Sequence, residues 1–364
     1  MNNISQVFSQ PATTGTIENL DVLMSQDTSL PNTKNPVAAS LSIGTSSFAV
    51  SWAKKYYNTV EARDKQKPQQ ITQTPELTNF EENRAKIFDK LSDKLKTAIE
   101  IAWNSVEALL GEQIEQYAID PTSIDSKEIA TDTRNLYSKA IDAYGDREPV
   151  FRLSVLVGKD IIEVRRKYAL KNPLLLVFVT LEFHYTAKIL LGYLSETERS
   201  QFVPYLKIID DYLHIPYGEI NLAAANLAPN SKALSAVQHL LSYTTQIAGA
   251  VYEKAISHHQ GYRSSTGYLT DPAVKNSGIR DVEIFQNYLC WCVLEGSIRP
   301  VQQELFPVCL MLYPKLHVSW DLVQDMLLIL FWEISDRLPA EDVMIFLPYL
   351  RTVTEMFSSE VFEN

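Results

Sequence analysis

The alternation of apolar and polar residues changes character near position 80. Residues 1 to about 79 are rich in Ser, Thr, Asn, Gln and Pro, with no sustained apolar period. A tract of that kind buries too little surface to offset the entropy of ordering it, which predicts an extended or disordered, flexible arm. One island interrupts it, Phe48-Ala-Val-Ser-Trp-Ala-Lys-Lys-Tyr-Tyr, where Phe48, Trp52, Tyr56 and Tyr57 crowd together. The island reads either as a short docking segment for a partner or as an arm that packs on its own domain.

From Phe80 the period becomes helical. Phe88, Leu91, Leu95, Ile99, Ala102, Val106, Leu109 and Ile114 recur every three to five residues, predicting a long amphipathic helix. Asp120-Pro121-Thr122-Ser123 punctuates its end, and further helical patterns cover about 126–144, 149–169 and 173–193. Helices then fill the rest, with breaks read at Pro204, Pro216, Pro229-Asn230, Gly261 to Pro272, Gly296 to Pro300, Pro314 and Pro339. Pro307 and Pro348 fall inside helical patterns, where a missing donor and a ring clash predict kinks. No period of two persists, so the expected class is all-α.

A chain of 364 residues can hold one large core or two ordinary ones, and two helical domains are expected. The most apolar stretch, Leu174 to Val179, is bounded by Lys171, Asn172 and Glu182. It falls short of the roughly 20 residues of a membrane span, and membrane insertion is not expected. A formal net charge of -11 disfavours nonspecific contact with nucleic acid or anionic lipid. The first residues lack a charged start and an apolar core, which makes the cytoplasm the expected location.

Cys290, Cys292 and Cys309 have neither the even count of a disulfide framework nor a zinc spacing, and fit a reducing compartment. Cys290 and Cys292, two apart on a helix, point roughly 160° from each other and cannot act as a pair. The histidines at 184, 214, 239, 258, 259 and 317 include no two at i, i+4 that could form a helical metal pair with a carboxylate, so no metal is expected. No nucleophile elbow, phosphate loop or dinucleotide fingerprint occurs, leaving catalysis without a residue to rest on. Glu182, His184 and Tyr185 could line a pocket or be satisfied at a helix seam. Trp320, Phe331, Trp332, Phe346, Tyr349 and Phe357 have near-helical spacing and could stack against a flat chromophore, but core packing is the safer assignment.

Several landmarks in the second half occur in an order that belongs to one family. They are Tyr205-Leu-Lys-Ile-Ile-Asp-Asp with Pro216-Tyr-Gly, then Ala233 to Val251, a polar stretch from His258 to Thr270, Arg280-Asp281-Val-Glu283 with Tyr288 and Gly296, and Tyr313-Pro-Lys-Leu-His-Val-Ser. From about Tyr205 to the end the chain resembles a phycobiliprotein subunit. The resemblance implies a globin-like helical domain over 205–364, preceded by a second helical domain over 80–204 and the arm over 1–79.

It also implies a chemistry with one part missing. In the family, a cysteine two residues before the Arg-Asp pair links the bilin, and here that place is held by Gly278. Arg280 and Asp281 match residues that contact a propionate and the pyrrole nitrogens, and such charge-assisted contacts could hold a bilin noncovalently. The bland alternative makes Asn276 or Ser277 a helix cap, puts Asp281 in the positive first turn, and lets Arg280 reach a neighbouring carboxylate. Asn287 stands where the family commonly has a basic residue, which puts the intersubunit ion pair of Asp210 and Asp211 in doubt. The expectation is a non-enzymatic assembly protein, peripheral on the cytoplasmic face of the thylakoid membrane. Its expected partners are phycobiliproteins or a photosynthetic complex, or a second copy. A noncovalent bilin sensor and a chaperone for bilin attachment stay open.

Overall fold

In the computed structural model, residues 76–362 are described, the side chains of 76–81 and Ser359 excepted. The aromatic island with Phe48, Trp52, Tyr56 and Tyr57 lies outside the described residues. Helix α1 (Glu76–Gln116) runs 41 residues, about 60 Å at 1.5 Å per residue. Its apolar stripe is buried along most of that length, with Ile87, Leu91, Leu95, Ala98, Ile99, Ala102, Val106 and Leu110 in the core. After it, the Asp120 side chain accepts from Thr122 N–H and starts a short turn at Pro121–Ser123.

Four helices complete this first core. They are α2 (Ser126–Gly145), capped by Asp125, α3 (Val150–Lys171), α4 (Leu175–Gly192) and α5 (Glu196–His214), which opens on a Ser195–Glu198 capping box. With 18 residues and a mean hydropathy of 1.4, α4 is long and apolar enough to cross a membrane, more apolar than the flanking charges suggested. It is instead built into the core, where Leu175, Val177, Val179 and Leu190 are wholly enclosed. Against expectation, α5 runs through Pro204. Burial of Phe202, Tyr205, Leu206, Ile208 and Ile209 around the proline outweighs the one ladder bond that it removes. The boundary read between 204 and 205 therefore falls inside a helix, and the first core extends to Leu213.

A second core begins at Ile215. It contains α6 (Tyr217–Ala225), α7 (Lys232–His258), α8 (Pro272–Glu295), α9 (Phe306–Leu312), α10 (Trp320–Arg337), α11 (Ala340–Met356) and the short α12 (Ser359–Phe362). Between α7 and α8, strands β1 (Arg263–Ser264) and β2 (Gly267–Tyr268) pair antiparallel, with Arg263 opposite Tyr268. Gly296 ends α8 at φ 65°, its N–H and that of Ser297 reaching back to Val293 and Cys292. That left-handed cap is why a glycine stands there. The chain enters α9 through a π-turn at Val301–Leu305, where Phe306 N–H bonds Val301. The wider turn relieves the clash that Pro307 would make with the carbonyl four residues earlier, so the expected kink takes this form. Pro348 lies inside α11.

Candidate functional site

Helix α8 carries the residues singled out for ligand chemistry, and it starts earlier than expected. Asp271 is the N-cap and Pro272 the first residue, because proline has no N–H to lose at that position. Asn276 and Ser277 are thus helix interior rather than caps. Asp281 lies in the third turn, beyond the reach of the helix dipole's positive end.

Gly278 is fixed by its neighbour across the α7–α8 seam. A Cβ at 278 would stand 2.1 Å from Tyr252 Cε2 and 2.8 Å from Cδ2. The ring cannot easily yield, since Tyr252 is buried and its hydroxyl donates to the Leu269 carbonyl at 3.1 Å. Any side chain at 278 must displace it.

Arg280 points to the first core. Its Nη1 donates to Asp210 Oδ2 at 2.6 Å, while its Nε lies 3.9 Å from Asp281 Oδ1 and has no hydrogen-bond partner. The His214 Nδ1 is 2.9 Å from the Asp210 carbonyl and 3.4 Å from Asp210 Oδ1. Burial alone would raise the Asp210 carboxyl, but Arg280 and His214 hold it well below the usual carboxylate range. Burial, with Arg280 beside it, pushes the His214 imidazole down to about 4, so His214 is neutral at ordinary pH. Asp281 is pushed up to about 6 by burial, with Arg280 opposing. Its side chain is 39 % exposed, and water screens part of that penalty.

Asp211 does not share the Asp210 site. It is buried and bonds Lys207 one turn back at 2.5 Å. Burial raises its carboxyl, with Lys207 opposing. A partner surface therefore could not use Asp211 without unpacking it, whereas Asp210 is 26 % exposed but already committed to Arg280.

The order of helices, the Arg280–Asp210 pair and the Gly296 cap can now be set beside known families. Residues 209–356 match the phycobilisome protein family. No curated protein and no solved structure matches the chain. The phycobilisome-protein segment begins at the end of α5 and includes Asp210, Gly278, Arg280 and Asp281. Its extent follows the second core closely, and apart from the β1–β2 pair its regular structure is helical.

A second arginine ties the phycobilisome-protein segment to the helices before it, and sequence reasoning missed it. Arg165 on α3 is 2 % exposed. Its Nη2 donates to Tyr288 Oη at 2.9 Å and to Glu304, and its Nη1 lies 3.4 Å from Glu219 Oε2. Tyr288 also donates to Glu304. The π-turn delivers Glu304, and α6 delivers Glu219. One signal was available: Leu153, Val157, Ile161, Arg165 and Tyr168 recur at helical spacing, placing an arginine on an otherwise apolar stripe.

The other candidates separate. Glu182 is fully enclosed, with only a 3.3 Å contact from Thr186 Oγ1 and no partner for Oε2. Burial pushes its carboxyl up to about 8. The His184 and Tyr185 rings meet each other edge-on at 5.7 Å, and the three residues do not converge on one pocket. Cys290, Cys292 and Cys309 are buried. Burial pushes Cys292 up to about 12, a thiol poorly suited to attack. His258 and His259, at the start of the polar stretch, end α7 and meet the same Asp325 oxygen at 2.9 and 3.1 Å. Phe346 and Phe357 are core residues as expected, but Trp332 is 56 % exposed.

Proposed function

We propose that this protein is a non-enzymatic, phycobilisome-related assembly protein that docks on antenna subunits or a photosynthetic complex and carries no thioether-linked bilin at position 278. The supporting observation is the packing of Tyr252 against Gly278. The space in which a linking cysteine would stand is filled by a buried ring. The residues present do not fit the covalent group, and Arg280 holds Asp210 of its own chain. In this reading the helices of the matched segment serve through their shape, with interactions rather than pigment chemistry as the output.

In this reading the protein sits on the cytoplasmic face of the thylakoid membrane, and the arm with Phe48, Trp52, Tyr56 and Tyr57 extends its reach. Affinity purification from phycobilisome-containing cells should bring antenna or photosystem subunits with it. Recovery of the chain alone would contradict the reading. A second reading, a noncovalent bilin sensor, draws on the unpartnered Arg280 Nε and the exposed part of Asp281. A visible absorption band lost on denaturation would favour it.

A further inference from the structure

Helices α10 and α11 form a hairpin across the two-residue link Leu338–Pro339. Its outer side is unexpectedly apolar. Leu328 and Trp332, one turn apart on α10, are 46 % and 56 % exposed, and Met344 on α11 is 64 % exposed. The Phe331 ring packs on Trp332, with centroids 5.1 Å apart. An exposed apolar stripe centred on a tryptophan marks an interaction surface.

The stripe is framed by negative charge. From Trp320 to Met356 the sequence has seven acidic residues, Asp321, Asp325, Glu333, Asp336, Glu341, Asp342 and Glu355, against two basic ones, Arg337 and Arg351. Glu333 and Asp342 are buried and paired with Lys254 and His239. Asp321, Asp336 and Glu341 are exposed and enter no ion pair among the described residues. The complementary occupant is an aromatic segment with excess positive charge.

The chain contains such a segment. Between Phe48 and Lys67 stand Phe48, Trp52, Tyr56 and Tyr57, with Lys54, Lys55, Arg63, Lys65 and Lys67 against only Glu61 and Asp64. This is a positive stretch in a protein of net charge -11. From Tyr57 to the start of α1 at Glu76 the chain can reach roughly 60 Å when extended, about the length of α1. We propose that the α10–α11 face is covered by the chain's own segment Phe48–Lys67, with Trp52 and Tyr56 against Trp332 and Leu328 and with Lys54 and Lys55 toward Asp336 and Glu341. This goes beyond the proposed function and does not depend on it. Where both hold, an antenna partner must compete for the segment with its resting place.

Zero-length carboxyl–amine crosslinking of the full chain tests this, using a mixture of 15N-labelled and unlabelled protein resolved by mass spectrometry. The expected result is a crosslink from Lys54 or Lys55 to Asp336 or Glu341 within one chain. Its yield should fall on the order of tenfold in Trp332→Ala, the size of effect expected for removal of an aromatic anchor. Trp332 is largely exposed, and an unchanged circular dichroism spectrum would verify the fold of that variant. No such crosslink, crosslinks only between labelled and unlabelled chains, or a yield indifferent to Trp332→Ala would each overturn the proposal.

Discussion

Two arginines cross between the same two cores, and they are built differently. Arg165 is enclosed, shares Glu304 with Tyr288 and has Glu219 as a further carboxylate neighbour. Arg280 has 19 % of its side chain in contact with solvent, one close carboxylate and an idle Nε. A desolvated charge with several partners holds an architecture, because loss of one member leaves the others buried without compensation. A charge at the edge of water is cheaper to break and easier to redirect to a ligand or partner. The difference separates a structural tie from a residue that could change partners.

The largest expected effect is at the enclosed junction. Arg165→Met leaves Glu304 buried without its guanidinium and should lower unfolding free energy by about 3–5 kcal/mol. Denaturant titration reads this directly, and Glu304→Gln added to it should recover part of the loss. A cost as small as that at Arg280 would erase the distinction between the two junctions.

Next comes the packing beside Arg280. Gly278→Ala forces a methyl group into the Tyr252 ring and should cost about 1–3 kcal/mol, measured as a shift in the same titration. Adding Tyr252→Leu should reduce that cost. If Gly278→Ala is neutral on its own, the site is looser than the Tyr252 packing requires.

Glu182 offers a third kind of buried charge, one with no cation. Its carboxyl titrates at about 8 in the fold against an ordinary 4.5, so the folded chain retains a proton that the unfolded chain releases. Stability is then full below about pH 4.5 and declines as pH rises toward 8. Glu182→Gln should flatten that decline and, at pH 8, stabilise the protein by about 1–3 kcal/mol. Melting curves from pH 5 to 8 provide the measurement.

Arg280→Gln should have the smallest effect of the series, about 1–2 kcal/mol at neutral pH. The Asp210 carboxyl is depressed in the fold. Its contribution is therefore present above the ordinary value of 3.8 and is lost as pH falls through the lower folded value. Wild type and variant should converge in that acid range and differ at pH 7. A constant difference across both would assign the cost to packing of the arginine stem.

Much of the fold was legible because helical period and burial coincide along α1 to α4, and because Gly296 and Asp120 mark their turns by local chemistry. Pro204 misled, because tertiary packing around α5 outweighs a single missing backbone bond, whereas Pro348 lies inside a helix as its pattern indicated. Asp271-Pro272 was the true start of α8, but the resemblance drew attention to Gly278. The Arg280–Asp210 contact was foreshadowed only as a reach to some carboxylate. The Arg165 junction depends on Glu219, Tyr288 and Glu304, which are distant in sequence and converge only when α3, α6, α8 and the π-turn pack. Trp332 followed the apolar period of α10 yet faces outward, a distinction that period alone does not make.

The proposed role of the matched segment, assembly without a thioether-linked bilin at position 278, has a spectroscopic signature. Its most direct measurement is the absorption spectrum, after acid–urea denaturation, of the tagged chain purified with its partners from phycobilisome-containing cells and then separated from them. Antenna or photosystem subunits are expected in the purified complex, together with a separated chain without visible absorption. A separated chain that retains a visible band through denaturation, with the pigment mapped to the peptide around Gly278, would contradict it.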